Sequence, residues 1–242
     1  MSSWLAIWPT HVPRQVVASL LAGFSPVAFP HEVGRVGRPA APASRRQKVV
    51  AFDVMDTLLH DPYREAHEAA TGMSFERFES LRPEGAYHAL ERSEIDESRY
   101  WEALRDAGIS VDVGRFHAIR RIGYQWLPGM RELLRGTAAR HRVILASNYP
   151  AEWMADVHRR FFHSIQAEVC GSCELGVRKP SREFFDRMVD RFGLEPTTTV
   201  LVDDSALNID GAVAAGWQGV RYRDVQGTRE ALQALGVHAG AD

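Results

Sequence analysis

Three stretches of this chain are apolar at nearly every position, where the rest alternates or follows helical spacing. They are Val49–Phe52 (VVAF), Arg142–Ser147 (RVILAS) and Thr198–Asp204 (TTVLVDD). Apolar residues on both parities suit strands buried on both faces, as in a parallel sheet sandwiched between helices. Each run ends in polar residues: Asp53, then Ser147 with Asn148, then Asp203 with Asp204. In open α/β sheets ligands bind beyond the carboxyl ends of the strands, so these polar ends are placed for chemistry. A further run, SIQAEVC from Ser164 to Cys170, predicts another strand. Behind it, GVRKP at Gly176–Pro180 leads into a helix for which Ser181 is the expected N-cap.

The pattern changes between Tyr63 and Trp126, which reads as charged helical segments. Ser74, Asp96 and Asp112 are the expected N-caps there, and Ala103, Leu104 and Ala107 beside Tyr100 and Trp101 give a helical apolar stripe. Aromatic residues at such spacing are more often core than pocket, so none of Tyr63, Tyr87 or Trp101 is assigned a role.

Composition narrows the function. With 242 residues, 45% hydrophobic and 25% charged, the chain can bury one good core and a small accessory domain. A formal net charge of −2 gives no reason to expect nucleic acid or an anionic membrane as partner. No apolar run approaches the length that spans a bilayer. The 29 basic residues include only two lysines, Lys48 and Lys179, so Lys179 stands against a strong arginine bias. A compact ammonium on a flexible stem does what a planar guanidinium cannot where one point charge must reach one buried oxygen.

Taken singly, Asp53 reads as a turn or cap, Ser147 as a cap, Lys179 as a solvated charge and the Asp pair as a turn. In order, Asp53-x-x-x-Thr57, Ser147-Asn148, Lys179-Pro180 and Asp203-Asp204-x-x-x-Asn208 together resemble the haloacid dehalogenase-like hydrolase superfamily, over about Lys48 to Tyr222. The resemblance implies a three-layer Rossmann-like α/β core with a mainly parallel five-stranded sheet and an inserted small helical cap. Residues 47–60 and 127–242 would form the core and residues 61–126 the cap, which excludes water and selects the substrate.

The same resemblance implies the chemistry. Asp53 would attack phosphorus and form an aspartyl-phosphate. Mg²⁺ would be held by the Asp53 carboxylate, the Met55 carbonyl and the Asp204 carboxylate, supported by Asp203 and Asn208. Thr57, Ser147 and Asn148 would bind substrate, and Lys179 would neutralise charge on nucleophile and phosphoryl group. A small phosphorylated metabolite is the expected substrate; the oligomeric state is not legible.

Met55 departs from the pattern, because phosphatases of this superfamily usually carry Asp there to protonate the leaving oxygen. Asp56 is adjacent, and a one-residue shift would point its side chain elsewhere on the turn, so Asp56 is an open substitute for that acid and not the default. A catalytically weak or non-catalytic phosphate- or protein-binding member is therefore the rival reading. Metal-independent dehalogenases also lack that Asp, yet they generally lack the acidic pair present here as Asp203 and Asp204. Enzymes that cleave carbon–phosphorus bonds would need a cap lysine, and Tyr63–Trp126 has none.

Cys170 and Cys173 are the only cysteines. They end a strand and enter a loop rather than open a helix, so free thiols are expected over a redox or zinc pair. Residues 1–46 hold five arginines against the single acid Glu32 and are rich in Ala, Pro and Ser. Such a composition resembles an organellar transit peptide, plastid before mitochondrion, with a plain extension as the alternative.

Overall fold

The computed structural model describes residues 48–239; the expected transit segment at 1–46 lies outside them. Strand β1 (Val49–Phe52) is followed by five helices: α1 (Tyr63–Thr71), α2 (Phe75–Leu81), α3 (Ala86–Glu91), α4 (Glu97–Asp106) and α5 (Val113–Gly123). Then come α6 (Met130–Ala138), β2 (Arg142–Ser147), α7 (Ala151–Val157), β3 (Glu168–Gly171), α8 (Ser172–Leu175) and α9 (Arg182–Phe192). The chain ends with β4 (Thr199–Asp203), α10 (Ala206–Ala214), β5 (Gln218–Arg221) and α11 (Val225–Ala234).

The five strands pair in the order β3-β2-β1-β4-β5, and every pairing is parallel. Continuous apolar runs produce this because successive side chains leave opposite faces of a sheet. Val50, Phe52, Val143, Leu145, Val200 and Val202 pack in one cluster with Met130, Leu133 and Leu134 of α6 and Leu232 of α11. Ala51, Ile144, Ala146 and Leu201 pack in the other with Phe184, Phe185 and Met188 of α9 and Ala212 of α10. The result is the three-layer α/β core expected from the sequence.

The strand order reverses at β1, which has β2 on one side and β4 on the other. Such a switch point opens a crevice at the carboxyl ends of the strands. Phe52 registers with Leu145 and with Val202, and the Asp53 amide donates to the Val202 carbonyl at 2.8 Å. Asp53 is thereby set beside the polar ends of β2 and β4.

Helices α1–α5 are rooted on a short stem. Leu59 pairs antiparallel with Trp126, His60 donates its amide to Gln125 at 2.9 Å, and Leu127 donates to Leu58 at 2.9 Å. Ser74, Asp96 and Asp112 each cap a helix, accepting the amides of Arg77, Arg99 and Arg115. Helix α4 buries Tyr100, Trp101 and Leu104, but Ala107 is exposed at its C-cap, so the stripe is narrower than its sequence suggests. Trp101 is core, packed among His67, Phe116 and Trp153.

Candidate active site

Lys179 is the hub of the site. Its ammonium, 1% exposed as a residue, donates to Asp53 Oδ1 at 2.8 Å, Asp203 Oδ2 at 2.6 Å and the Ala146 carbonyl at 2.8 Å. Burial works against its charge, but Asp53 and Asp203 outweigh it and hold its pKa above the ordinary lysine value. The position follows from the segment around it: Ser181 caps α9 by accepting the Glu183 amide at 3.3 Å, and the Lys179–Pro180 peptide is cis. A Cβ at Gly211 would lie 2.4 Å from the Pro180 carbonyl oxygen, so only glycine lets α10 pack against this segment.

The acidic residues converge on the same point. One carboxylate oxygen from each of Asp53, Asp203 and Asp204 lies within 4.8 Å of the others. Burial pushes the Asp53 carboxyl up, the Lys179 ammonium pulls it back, and Asp203 and Asp204 add to the rise. Asp204 is raised too, by burial and then by Asp203 and Asp56. Asp203 is fully buried and its oxygens are taken: Asn208 Nδ2 donates to both at 2.9 and 3.1 Å, and the Ser205 amide to Oδ1 at 3.0 Å. An all-oxygen donor set with converging negative charge suits a hard divalent cation such as Mg²⁺.

The remaining sequence candidates occupy the same crevice or brace it. Thr57 is buried and exchanges bonds with Asp204: its hydroxyl accepts the Asp204 amide at 3.0 Å and donates to Asp204 Oδ1 at 3.4 Å. Asn148 grips the Lys179 backbone through both ends of its amide. Ser147 Oγ is buried and has no hydrogen-bond partner among the described residues. The Met55 side chain is 8% exposed and belongs to the apolar core. Asp56 is exposed at φ 55°, with its Oδ1 accepting the Asp61 amide at 3.0 Å.

Sequence spacing did not reveal a second tier of polar residues. Glu91, at the end of α3, lies 2.8 Å from Arg178 Nε, and Ser172 Oγ donates to the Glu91 carbonyl at 2.6 Å. The Tyr149 amide donates to Ser172 Oγ at 3.2 Å, which ties α3 to the ends of β2 and β3. Burial pushes the Glu91 carboxyl up to about 7, against the pull of Arg178. Cys170 and Cys173 are free, and Cys173 sits in α8, where a loop was expected. Burial pushes the Cys170 thiol up to about 12, the opposite of a reactive cysteine.

Known proteins share both the sequence pattern and the fold. The chain is 29% identical over 198 residues to a protein of Arabidopsis thaliana named flavin mononucleotide hydrolase 1, chloroplastic, covering 81% of each. A predicted HAD-like family hydrolase from Porphyromonas gingivalis superposes with a TM-score of 0.64 at 21% identity, over 78% of this chain and 97% of that one. A HAD family enzyme from Bacteroides thetaiotaomicron, in complex with magnesium and inorganic phosphate, superposes with a TM-score of 0.62 at 19% identity, over 73% and 94%. These likenesses to solved structures establish the fold. Residues 47–216 match the profile of the haloacid dehalogenase-like hydrolases, and the chain belongs to that family.

Proposed function

We propose that this hydrolase is a Mg²⁺-dependent phosphohydrolase acting on a small phosphorylated metabolite through an aspartyl-phosphate on Asp53. The observation that carries the reading is the Lys179 ammonium held between Asp53 Oδ1 and Asp203 Oδ2, at the point where three carboxylates meet. A buried lysine there steers the nucleophile and offsets charge that gathers as phosphorus is attacked. Asp53 and Asp204 retain accessible surface and would hold Mg²⁺ with the Met55 carbonyl, whereas the Asp203 oxygens are already committed. When bound, Mg²⁺ supplies charge neutralisation to the phosphoryl oxygens. Ser147 Oγ, buried and without a hydrogen-bond partner among the described residues, suits a phosphoryl oxygen acceptor. Thr57, Asn148 and Asn208 act by holding Asp204, Lys179 and Asp203.

Residues 61–126 act as the cap over this crevice. Their single stem at Leu59 and Trp126, with ties through Glu91, Ser172 and Arg178, supports a lobe that seats on the strand ends. Flavin mononucleotide is the first substrate to test, given the name of the Arabidopsis relative. The same name supports a plastid address, with residues 1–46 as its transit peptide.

Met55 favours a second reading, a phosphate-binding protein that has lost turnover. Phosphate release by residues 47–242 from flavin mononucleotide and a panel of phosphate esters, with Mg²⁺, decides between them. Turnover that vanishes in Asp53→Asn while the circular dichroism spectrum stays unchanged is the expected result. Unaltered turnover in Asp53→Asn would refute the covalent route.

A further inference from the structure

Proton delivery to the leaving oxygen is the task that Asp53, Lys179 and the acidic pair leave unfilled, because position 55 carries a thioether. The fold ties a different carboxyl, that of Asp61, to the turn that follows Asp53. After Asp53 the chain turns back on itself: Leu58 and Leu59 donate their amides to the Val54 carbonyl, and Leu59 bridges to Met55. Two residues on, the Asp61 amide is bonded to Asp56, itself close enough to Asp204 to raise its pKa. Asp61 is therefore fastened to the same turn that carries Met55 and Asp56.

Its carboxyl is built into an oriented chain of donors. Asp61 Oδ1 accepts the Tyr63 amide at 3.2 Å and the Tyr149 hydroxyl at 3.4 Å. The Tyr149 and Tyr124 oxygens are 2.6 Å apart, and Arg120 Nη1 donates to the Tyr124 oxygen at 2.8 Å. Arginine only donates, so Tyr124 passes its proton's bond to Tyr149, and Tyr149 passes its own to Asp61. Burial pushes the Tyr149 hydroxyl well above the ordinary tyrosine value, so it stays a donor. Tyr149 also directly follows Asn148, which holds Lys179, so this chain adjoins the nucleophile's own support. Asp61 Oδ2 meets no hydrogen-bond donor among the described residues, which leaves it for a proton.

We propose that Asp61 is the general acid and base of this hydrolase, in place of the residue that Met55 replaces. The inference rests on the phosphohydrolase reading above. As an Asp53 oxygen bonds to phosphorus, the bond from phosphorus to the leaving oxygen breaks. The electron pair stays on that oxygen, which takes the Asp61 Oδ2 proton. The Asp61 carboxylate then takes a proton from the water that attacks phosphorus, and the bonding pair of the aspartyl-phosphate returns to Asp53.

The surroundings suit that cycle. Burial and then the Asp56 carboxylate raise Asp61 to about 7, with the Tyr63 amide and Tyr149 opposing and Glu65 adding a smaller rise. His60 stands between Asp56 and Glu65, at 3.8 and 3.0 Å, and the half-buried Tyr87 and the buried Tyr124 complete the facing groups. A carboxyl half-protonated near neutrality serves both steps.

The test compares wild type, Asp61→Asn and Tyr149→Phe with Mg²⁺ on two esters, 4-nitrophenyl phosphate and flavin mononucleotide, whose phosphate is an alkyl ester. In Asp61→Asn, kcat/KM for the alkyl ester should fall about 100-fold or more, while the nitrophenyl ester loses less than about tenfold, because its leaving group needs no proton. In wild type, kcat/KM for the alkyl ester should fall as pH rises through the Asp61 pKa. Removing the Tyr149 donor raises that pKa and shifts this limb to higher pH. Equal losses on both esters, or an unmoved limb in Tyr149→Phe, would overturn the inference while leaving the phosphohydrolase reading intact. Phosphate release from neither ester by wild type would overturn both.

Discussion

The Asn148 side chain and the Lys179 backbone exchange two hydrogen bonds of 2.9 Å each: Asn148 Nδ2 donates to the Lys179 carbonyl, and the Lys179 amide donates to Asn148 Oδ1. A side-chain amide that copies a strand's pairing pattern fixes both the position and the rotation of the backbone it grips. The Lys179 ammonium is thus aimed at Asp53 from a backbone that belongs to a different loop.

Asn148→Ala should therefore lower activity without touching a group that meets the substrate. Two bonds to a partly buried backbone are lost, worth about 1–3 kcal/mol where a donor or acceptor is left unpaired. If half of that reaches the transition state, kcat falls about two- to tenfold. Urea unfolding together with kcat measures both parts; unchanged kcat would separate the Asn148 grip from Lys179 function.

Met55→Asp should trade stability for proton delivery. The thioether lies in the apolar core, so even a neutral carboxyl there costs on the order of 1–3 kcal/mol, and an ionised one more. Alkyl esters should nevertheless turn over faster, and the same change should restore part of the activity lost in Asp61→Asn. Initial rates of the single and double variants on one alkyl ester decide this. No rescue would place proton delivery elsewhere.

Mg²⁺ removal should stop turnover and lower the thermal midpoint. Carboxylates drawn together without a cation repel one another, and a ligand that prefers the folded state stabilises it by about 2.7 kcal/mol at a hundredfold excess over Kd. Thermal unfolding with excess chelator and with Mg²⁺ reads the shift. Full activity in excess chelator would point to metal-independent chemistry.

Stability should fall in acid partly through His67. This imidazole is fully buried among Phe78, Phe116 and Tyr63, and burial, with a smaller push from Arg82, lowers its pKa to about 3. The unfolded chain binds a proton near pH 6.5 and the folded one does not, so stability rises with pH across the window from about 3 to 6.5. Glu91 and Asp61, both raised to about 7, act in the opposite sense as pH climbs from their unfolded values. The His67→Phe variant isolates the histidine: it should lose less stability than wild type between pH 7 and pH 5 in urea titrations. Identical losses would show that His67 is protonated inside the fold.

Three strands of the sheet were legible in the sequence because burial on both faces demands apolar residues at every position, which VVAF, RVILAS and TTVLVDD supply, whereas β5, with the sequence QGVR, carries no such run. Ser74, Asp96, Asp112 and Ser181 were legible as caps because an N-cap bond is made within three residues and depends on nothing distant. The weaker strand was placed less well: SIQAEVC predicted Ser164–Cys170, and β3 runs Glu168–Gly171. At the edge of the sheet, fewer contacts fix where pairing starts.

The order of the motifs also announced Asp53, Lys179 and the acidic pair, since each follows a recognisable strand or turn. Only the tertiary structure decided what these groups touch. That Lys179 reaches Asp203 as well as Asp53, that Thr57 braces Asp204, and that Ser147 Oγ meets no partner among the described residues depend on strand register and loop packing. Asp61 is the extreme case: in sequence it is one carboxylate before a proline, joined by nothing local to Tyr149, Tyr124 or Arg120. Long-range hydrogen bonds leave no periodicity behind them, because only the closed fold sets the distances between their ends.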